Sequence, residues 1–291
     1  MVRVSAARVH AALFTVAALF SLNYIVSKLG MRAFTPVTFA YLRIVGSALL
    51  IHVVVPRDRT PLSRSDNWQL AGFALLAIVL NQTLFLAGLA LTTAHIAAIL
   101  ITTIPVFVLA AAISLGRERA TAMKVGGILL AAAGALLVIR GEHAQGARSA
   151  AIGAILITMN CLCYALYLVL SKPMMARVSA RRVISRMFDI AAVLMIPIAI
   201  VPLMRQRWDA IPASAWVALA VVIIGPTVIG YMLQAWALTY AESSVVAAYT
   251  YAQPVLTTLM AAAFLGERLR WITGVAALLI FGGVYLASRR N

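Results

Sequence analysis

Ten apolar runs, each close to the thickness of a bilayer's hydrocarbon core when helical, dominate this sequence. Bounded by charge, proline and glycine, they fall at 10–28, 37–55, 68–90, 94–115, 122–139, 150–171, 185–204, 214–238, 244–265 and 271–287. A spanning helix needs about 20 consecutive apolar residues. In lipid only helices and closed barrels satisfy every backbone polar group. The expected fold is therefore an all-α integral membrane protein of ten transmembrane helices, with no room among 291 residues for a soluble domain. Composition agrees, with 64% of residues hydrophobic and 11% charged, against about 25% charged in a soluble domain. Two boundaries carry no charge, at Thr92-Thr93 and from Thr239 to Ser243. The first run follows Arg3 and Arg8 as a secretory leader would. It lacks a small-x-small cleavage site and continues to Lys28, so it reads as an uncleaved span.

The 24 Lys+Arg against 8 Asp+Glu give a net charge of +16. In a soluble domain this would suggest nucleic acid. Here the basic residues sit between apolar runs, where they set orientation, and no nucleic-acid partner is expected. Alternate loops carry 15 and 8 basic residues, and Arg43 lies inside a span. The richer side takes both termini, which places them in the cytoplasm and fits an even span count. Only Lys28, Lys124 and Lys172 are lysine; this arginine bias, with the abundant alanine, fits a GC-rich bacterium and hence a bacterial inner membrane. Cys161 and Cys163 are two apart, about 200° around a helix, and do not pair with each other.

Parts of the sequence occur twice. Ala90-Leu91-Thr92-Thr93-Ala94, Ile104-Pro105-Val106 and Gly116-Arg117-Glu118 are matched by Ala237-Leu238-Thr239-Tyr240-Ala241, Gln253-Pro254-Val255 and Gly266-Glu267. Pro105 to Glu118 and Pro254 to Glu267 are both 13 residues, and a glycine, Gly134 or Gly283, follows each Glu by 16. Five spans repeated place the second copy upside down, which is a transporter architecture. The expected units are residues 1–145 and 146–291, two inverted five-helix repeats around a central cavity.

These segments resemble the drug/metabolite transporter superfamily and, within it, the EamA-type ten-span carriers. The opening stretch from Asn23 to Lys28, with Pro36, Phe39, Leu42 and Arg43, is similar to that family's first segment. Arg117 departs from the pattern by turning Leu-Gly-Glu into Gly-Arg-Glu, although the Pro-to-Glu spacing survives. The resemblance implies export of small metabolites or drugs across a bacterial inner membrane. Within the family the chain looks most similar to the YddG-like amino-acid exporters.

Polar groups inside spans are costly and should face the bundle interior. The candidates for substrate binding are Asn81, Gln82, His95, Thr102, Asn160, Tyr164, Tyr167, Gln234, Trp236, Tyr249 and Gln253. A cavity of aromatics and amides suits a zwitterion with an apolar side chain; hydrogen bonding between helices is the other reading. Pro105 and Pro254 are candidate hinges, or fixed kinks. His95 reads as a gate or as a hydrogen-bonded interior residue. Arg43 reads as a contact for a substrate carboxylate, or it snorkels or pairs with a neighbour such as Asp189. Glu118 and Glu267 read as charged turns. The glycines of spans five (Gly126, Gly127, Gly134) and ten (Gly274, Gly282, Gly283) allow close helix approach, as a support or homodimer face.

An intramembrane enzyme would need a nucleophile–base pair or metal ligands. His10, His52, His95 and His143 fall in no such motif, so no catalytic residue, metal or cofactor is expected. Phosphate esters would need several cations in the cavity, and a pore needs no alternating halves. The expected partners are a small-molecule substrate and the lipid bilayer. Export of neutral or aromatic amino acids by alternating access is the leading reading; export of drugs or lipophilic cations, which aromatic walls also suit, is the alternative.

Overall fold

The computed structural model describes residues 5–54, 62–116, 119, 121–143, 148–241, 243–266, 271, 274–275, 277–280 and 282, and among these there is no strand. The helices are α1 (Ala6–Gly30), α2 (Pro36–Val54), α3 (Arg64–Leu91), α4 (Ala94–Ser114), α5 (Ala122–His143) and α6 (Arg148–Arg177). They continue as α7 (Ala180–Leu194), α8 (Ile196–Arg205), α9 (Ala213–Tyr240), α10 (Ser243–Ala248) and α11 (Ala252–Leu265). Six of them, α1, α2, α3, α4, α6 and α9, are each long and apolar enough to cross a membrane. The molecule is a multi-pass, all-helical membrane protein. Arg117, Glu118, Glu267, Gly283 and most of the expected tenth span lie outside the described residues.

Helix ends follow local chemistry. Ser63 caps α3 by accepting the Asp66 N–H at 3.0 Å, and Pro36 opens α2, where its missing N–H costs nothing. The uncharged boundaries are real turns. Thr92 (φ −131°, ψ −177°) ends α3 and Ala241 (φ −123°, ψ 157°) ends α9, both in extended conformation. The expected span at 185–204 is not one straight helix. It divides into α7 and α8, bent by 59°. Pro197 lacks the N–H that would bond the preceding turn, and its ring disfavours helical backbone just before it.

The same succession of distortions occurs twice. α3 widens into a π-helical stretch at Leu75–Leu80 and α9 into another at Ile223–Ile229. An 11-residue α-helical stretch follows each, Asn81–Leu91 and Gly230–Tyr240. The next helix is interrupted at Thr102-Thr103 in one half and by a 3₁₀ turn at Tyr249–Tyr251 in the other. It resumes with Pro105 or Pro254 in its first turn. The run ends at Gly116 (φ 68°) or Gly266 (φ 66°), in the left-handed conformation that favours glycine at a helix C-terminus.

The two halves of the chain interleave. α1 lies along α9 and α11, α2 along α7 and α9, α3 along α6, and α4 along α6 and α11. Helices in lipid associate through close packing of small residues. Backbone meets backbone in this way between α3 and α6, where a Cβ on Gly88 would stand 2.8 Å from the Gly153 carbonyl, and one on Gly153 would stand 2.8 Å from that of Gly88. Among the described residues, a Cβ on Gly274 would meet nothing within 4 Å, and one on Gly282 would make an ordinary 3.7 Å contact with Leu130. Large exposed hydrophobics, such as Leu49, Leu129, Val217 and Leu259, cover the outside, as a lipid-facing surface requires.

Polar clasps join helix ends. At one end, the Gln206 side chain donates to the Ala33 carbonyl at 3.0 Å and accepts the Thr35 N–H at 3.2 Å, beside the Phe34–Trp216 edge contact. At the other end, Arg177 pairs with Asp66, and His52 Nε2 lies 2.7 Å from Asp189. There too the Lys172 ammonium donates to the Ala241 carbonyl at 2.7 Å.

Candidate functional site

A central cavity of about 70 Å³ lies between the side chains, narrower than the roughly 300–1,000 Å³ of drug-sized sites. Each wall is one helical face, built from residues three or four apart. α1 contributes Phe20, Asn23 and Tyr24; α3 contributes Asn81, Gln82 and Phe85; α6 contributes Asn160 and Tyr164; α9 contributes Tyr231 and Gln234. Arg43 of α2, Ile101 and Ile104 of α4, Thr250, and Gln253 of α11 complete it.

The π-helical stretches border this cavity and shape its polarity. Where a helix widens to i→i+5 bonding, nearby carbonyls need other partners. On α3, the Tyr231 hydroxyl donates to the Ala77 carbonyl at 3.0 Å and also lies 3.3 Å from Asn81 Oδ1. The Asn160 amide donates to the Asn81 carbonyl at 2.8 Å. On α9, Thr227 donates to the Val222 carbonyl at 2.6 Å and accepts from Arg43 Nε at 2.6 Å. The Tyr24 hydroxyl donates to Gln253 Oε1 at 3.1 Å, and Tyr164 donates to Gln234.

Some polar atoms in this wall are left over. Both Nε2 and Oε1 of Gln82, and Oδ1 of Asn160, are buried without a hydrogen-bond partner. Buried polar groups are normally satisfied, so each orphan calls for an explanation, and a polar solute in the cavity would provide one. Arg43 is 3% exposed and is the cavity's one formal charge among the described residues; no carboxylate lines the space.

The structure brings together Arg43, Asn81, Gln82, Asn160, Tyr164, Gln234 and Gln253 of the expected residues. The others lie elsewhere. The Thr102 hydroxyl bonds the Ile99 carbonyl at 2.6 Å, closing the first part of α4. His95 is buried at the start of α4, 3.4 Å from the Thr93 hydroxyl. Tyr167 is buried between Phe73 and Tyr164. Trp236 packs on Tyr240, and the Tyr249 hydroxyl lies 2.5 Å from His10 Nδ1. Pro105 and Pro254 do not kink continuous helices. Each sits in the first turn of a helix that restarts after a break, where proline loses no bond.

Arg43 does not pair with Asp189, whose partner is His52. The nine residues from Arg43 to His52 turn a helix by two and a half revolutions, so the two side chains point to opposite faces. Phe20, Asn23, Tyr24, Phe85, Ile101, Ile104, Tyr231 and Thr250 were not among the expected site residues. Asn23, Tyr231 and Thr250 carry the signal used for the others, a polar group within an apolar run. Phe20, Phe85, Ile101 and Ile104 carry none, since an apolar residue reads alike whether it faces lipid or a cavity. Cys161 and Cys163 are both free thiols. Among the described residues no cluster of three or more His, Cys, Asp or Glu could hold a metal ion.

The EamA-like transporter family matches residues 8–140 and again 151–289. An uncharacterized transporter of Archaeoglobus fulgidus is 27% identical over 272 residues, covering 92% of this chain and 93% of that protein. The uncharacterized transporter YcbK of Bacillus subtilis is 28% identical over 225 residues, covering 76% of this chain and 71% of that one. A solved crystal structure superposes with a TM-score of 0.66 at 19% identity, covering 98% of both chains; this likeness concerns the fold alone.

Proposed function

Since this chain belongs to the EamA-like transporter family, and is therefore a multi-pass membrane transporter rather than an enzyme, we propose that it exports neutral and aromatic amino acids across a bacterial inner membrane. The observation that carries this reading is the cavity's chemistry. It joins one cation, a set of amides with unpartnered atoms, and aromatic walls, without a carboxylate among the described residues. A solute with a carboxylate, a second polar group and an apolar side chain matches each of these. Arg43 takes the carboxylate, Gln82 and Asn160 supply free polar atoms, and Asn81, Gln234 and Gln253 extend the polar wall. Phe20, Phe85 and Tyr164 face the side chain. In this reading the YddG-like exporters are the nearest functional relatives.

The mechanism is alternating access by ten spans arranged as two inverted five-helix repeats, 1–145 and 146–291, with both termini cytoplasmic. The recurring π-helical stretches and broken helices support it. Two similar halves can exchange tilts at similar energy, and the breaks before Pro105 and Pro254 are the hinges. Facilitated movement down an amino-acid gradient suffices, since among the described residues no acid at the cavity offers a proton-coupling site.

A second reading, export of lipophilic cations, is favoured by the aromatic faces of Tyr24, Phe85 and Tyr231. Arg43 opposes it. Purified protein in proteoliposomes decides between them by uptake of labelled threonine, methionine and phenylalanine. Saturable uptake of any of these supports the proposal. Movement of a cationic dye with none of the three overturns it.

A further inference from the structure

We propose that the cavity recognises its solutes through the carboxylate alone and does not require the α-ammonium group. Its substrate class then extends beyond amino acids to apolar monocarboxylates without an amine, such as 2-hydroxy acids. This rests on the reading of the cavity as the transport site, and it names the group by which that site selects.

Arg43 carries the argument. Among the described residues its one hydrogen bond runs from Nε to the hydroxyl of Thr227, a neutral partner whose own proton is committed to the Val222 carbonyl. The acids that pair with cations among the described residues do so elsewhere: Asp189 with His52, Asp66 with Arg177 and Asp209 with Arg207. Among the described residues the end-on fork of terminal amino groups therefore has no counter-ion. A guanidinium fork fits a carboxylate in two parallel bonds, and a buried charge without a partner is strongly disfavoured. A carboxylate solute supplies the partner.

The ammonium group finds no such complement. The free acceptors on the wall are the amide oxygens of Gln82 and Asn160, both neutral. A monocarboxylate anion against Arg43 gives a neutral complex. A zwitterion leaves one positive charge uncompensated, and a cationic solute leaves two. In a low-dielectric interior that charge count decides the order of preference. The monocarboxylate should bind at least as well as the zwitterion, and a solute with only the ammonium group should bind far less well.

Three probes that share one benzyl group isolate the two charges: phenylalanine, 3-phenyllactate, which lacks the amine, and phenylalaninamide, which lacks the carboxylate. Each competes against labelled phenylalanine counterflow in proteoliposomes. The expected result is that 3-phenyllactate competes better than phenylalanine or no more than about threefold worse, while phenylalaninamide is at least about tenfold weaker. Arg43→Gln should erase the difference between acid and amide, and Arg43→Lys should retain part of it. If phenylalaninamide matches phenylalanine, or Arg43→Gln leaves the order intact in a protein that melts like wild type, the proposal is overturned. If phenylalanine moves but 3-phenyllactate does not compete, this inference falls and amino-acid export stands. If only a lipophilic cation moves, both fall. Should no solute move, the melting temperature of the detergent-solubilised protein decides. Stabilisation by 3-phenyllactate and not by phenylalaninamide supports the proposal, and the absence of that difference overturns it.

Discussion

The hydroxyl of Tyr231 on α9 donates to the Ala77 carbonyl of α3 at 3.0 Å, across 154 positions of sequence. That carbonyl belongs to the π-helical stretch Leu75–Leu80. One half of the chain thus completes the backbone bonding of a distorted helix in the other. Tyr231→Phe should lower thermal stability in detergent by about 1 kcal/mol, since it removes a buried hydrogen bond. Transport should fall further than expression. A variant that melts and transports like wild type would show that the contact does not matter.

The crossing of α3 and α6 should be intolerant of any side chain. Gly153→Ala would place a methyl group 2.8 Å from a backbone oxygen, an overpacking worth about 1–3 kcal/mol. Gly72, also on α3, has nothing within 4 Å. Gly72→Ala should be neutral, or stabilising by up to about 1 kcal/mol through helix propensity. Melting curves of the two variants test the contrast directly.

The prolines invite a kinetic test. With Pro105→Ala and Pro254→Ala together, the breaks before them can close into continuous helix. Counterflow should slow by about tenfold or more while expression stays near wild type. Loss of both in equal measure would mean that the prolines act in packing only.

Inversion of the two repeats, as proposed, would give matching turns opposite sidedness. In a background with Cys161→Ala and Cys163→Ala, a cysteine at position 118 should react with an impermeant maleimide only in opened cells. A cysteine at position 267 should react in intact cells. Labelling of both from the same side would refute the inversion.

Much of the bundle was legible because apolar runs and their interruptions obey bilayer thickness; Leu91, Ala94, Ala213 and Tyr240 fall within a few residues of the expected ends. The amide-rich part of the cavity was legible for the same reason, as polar groups such as Asn81 and Gln234 are costly anywhere but inside. Rotation about the helix axis was not legible. Trp236 is two residues from Gln234, about 200° around the helix, and it faces Tyr240 instead of the cavity. The π-helical stretches left no trace at Leu75–Leu80, where every residue is apolar, and only Pro226 hints at the second. Arg43 stood out as the one basic residue well inside a span, but its partner Thr227, within the π-helical stretch Ile223–Ile229, did not.

The Gly88–Gly153 crossing ties residues of the two halves at a single spot, with each backbone oxygen where the other's side chain would be. A contact this close resists separation of the two helices more than rotation about it. If the protein works by tilting, this pair is its fulcrum, and the cavity beside Asn81 and Asn160 lies close to the axis, where a bound solute would travel least while the openings above and below it trade places.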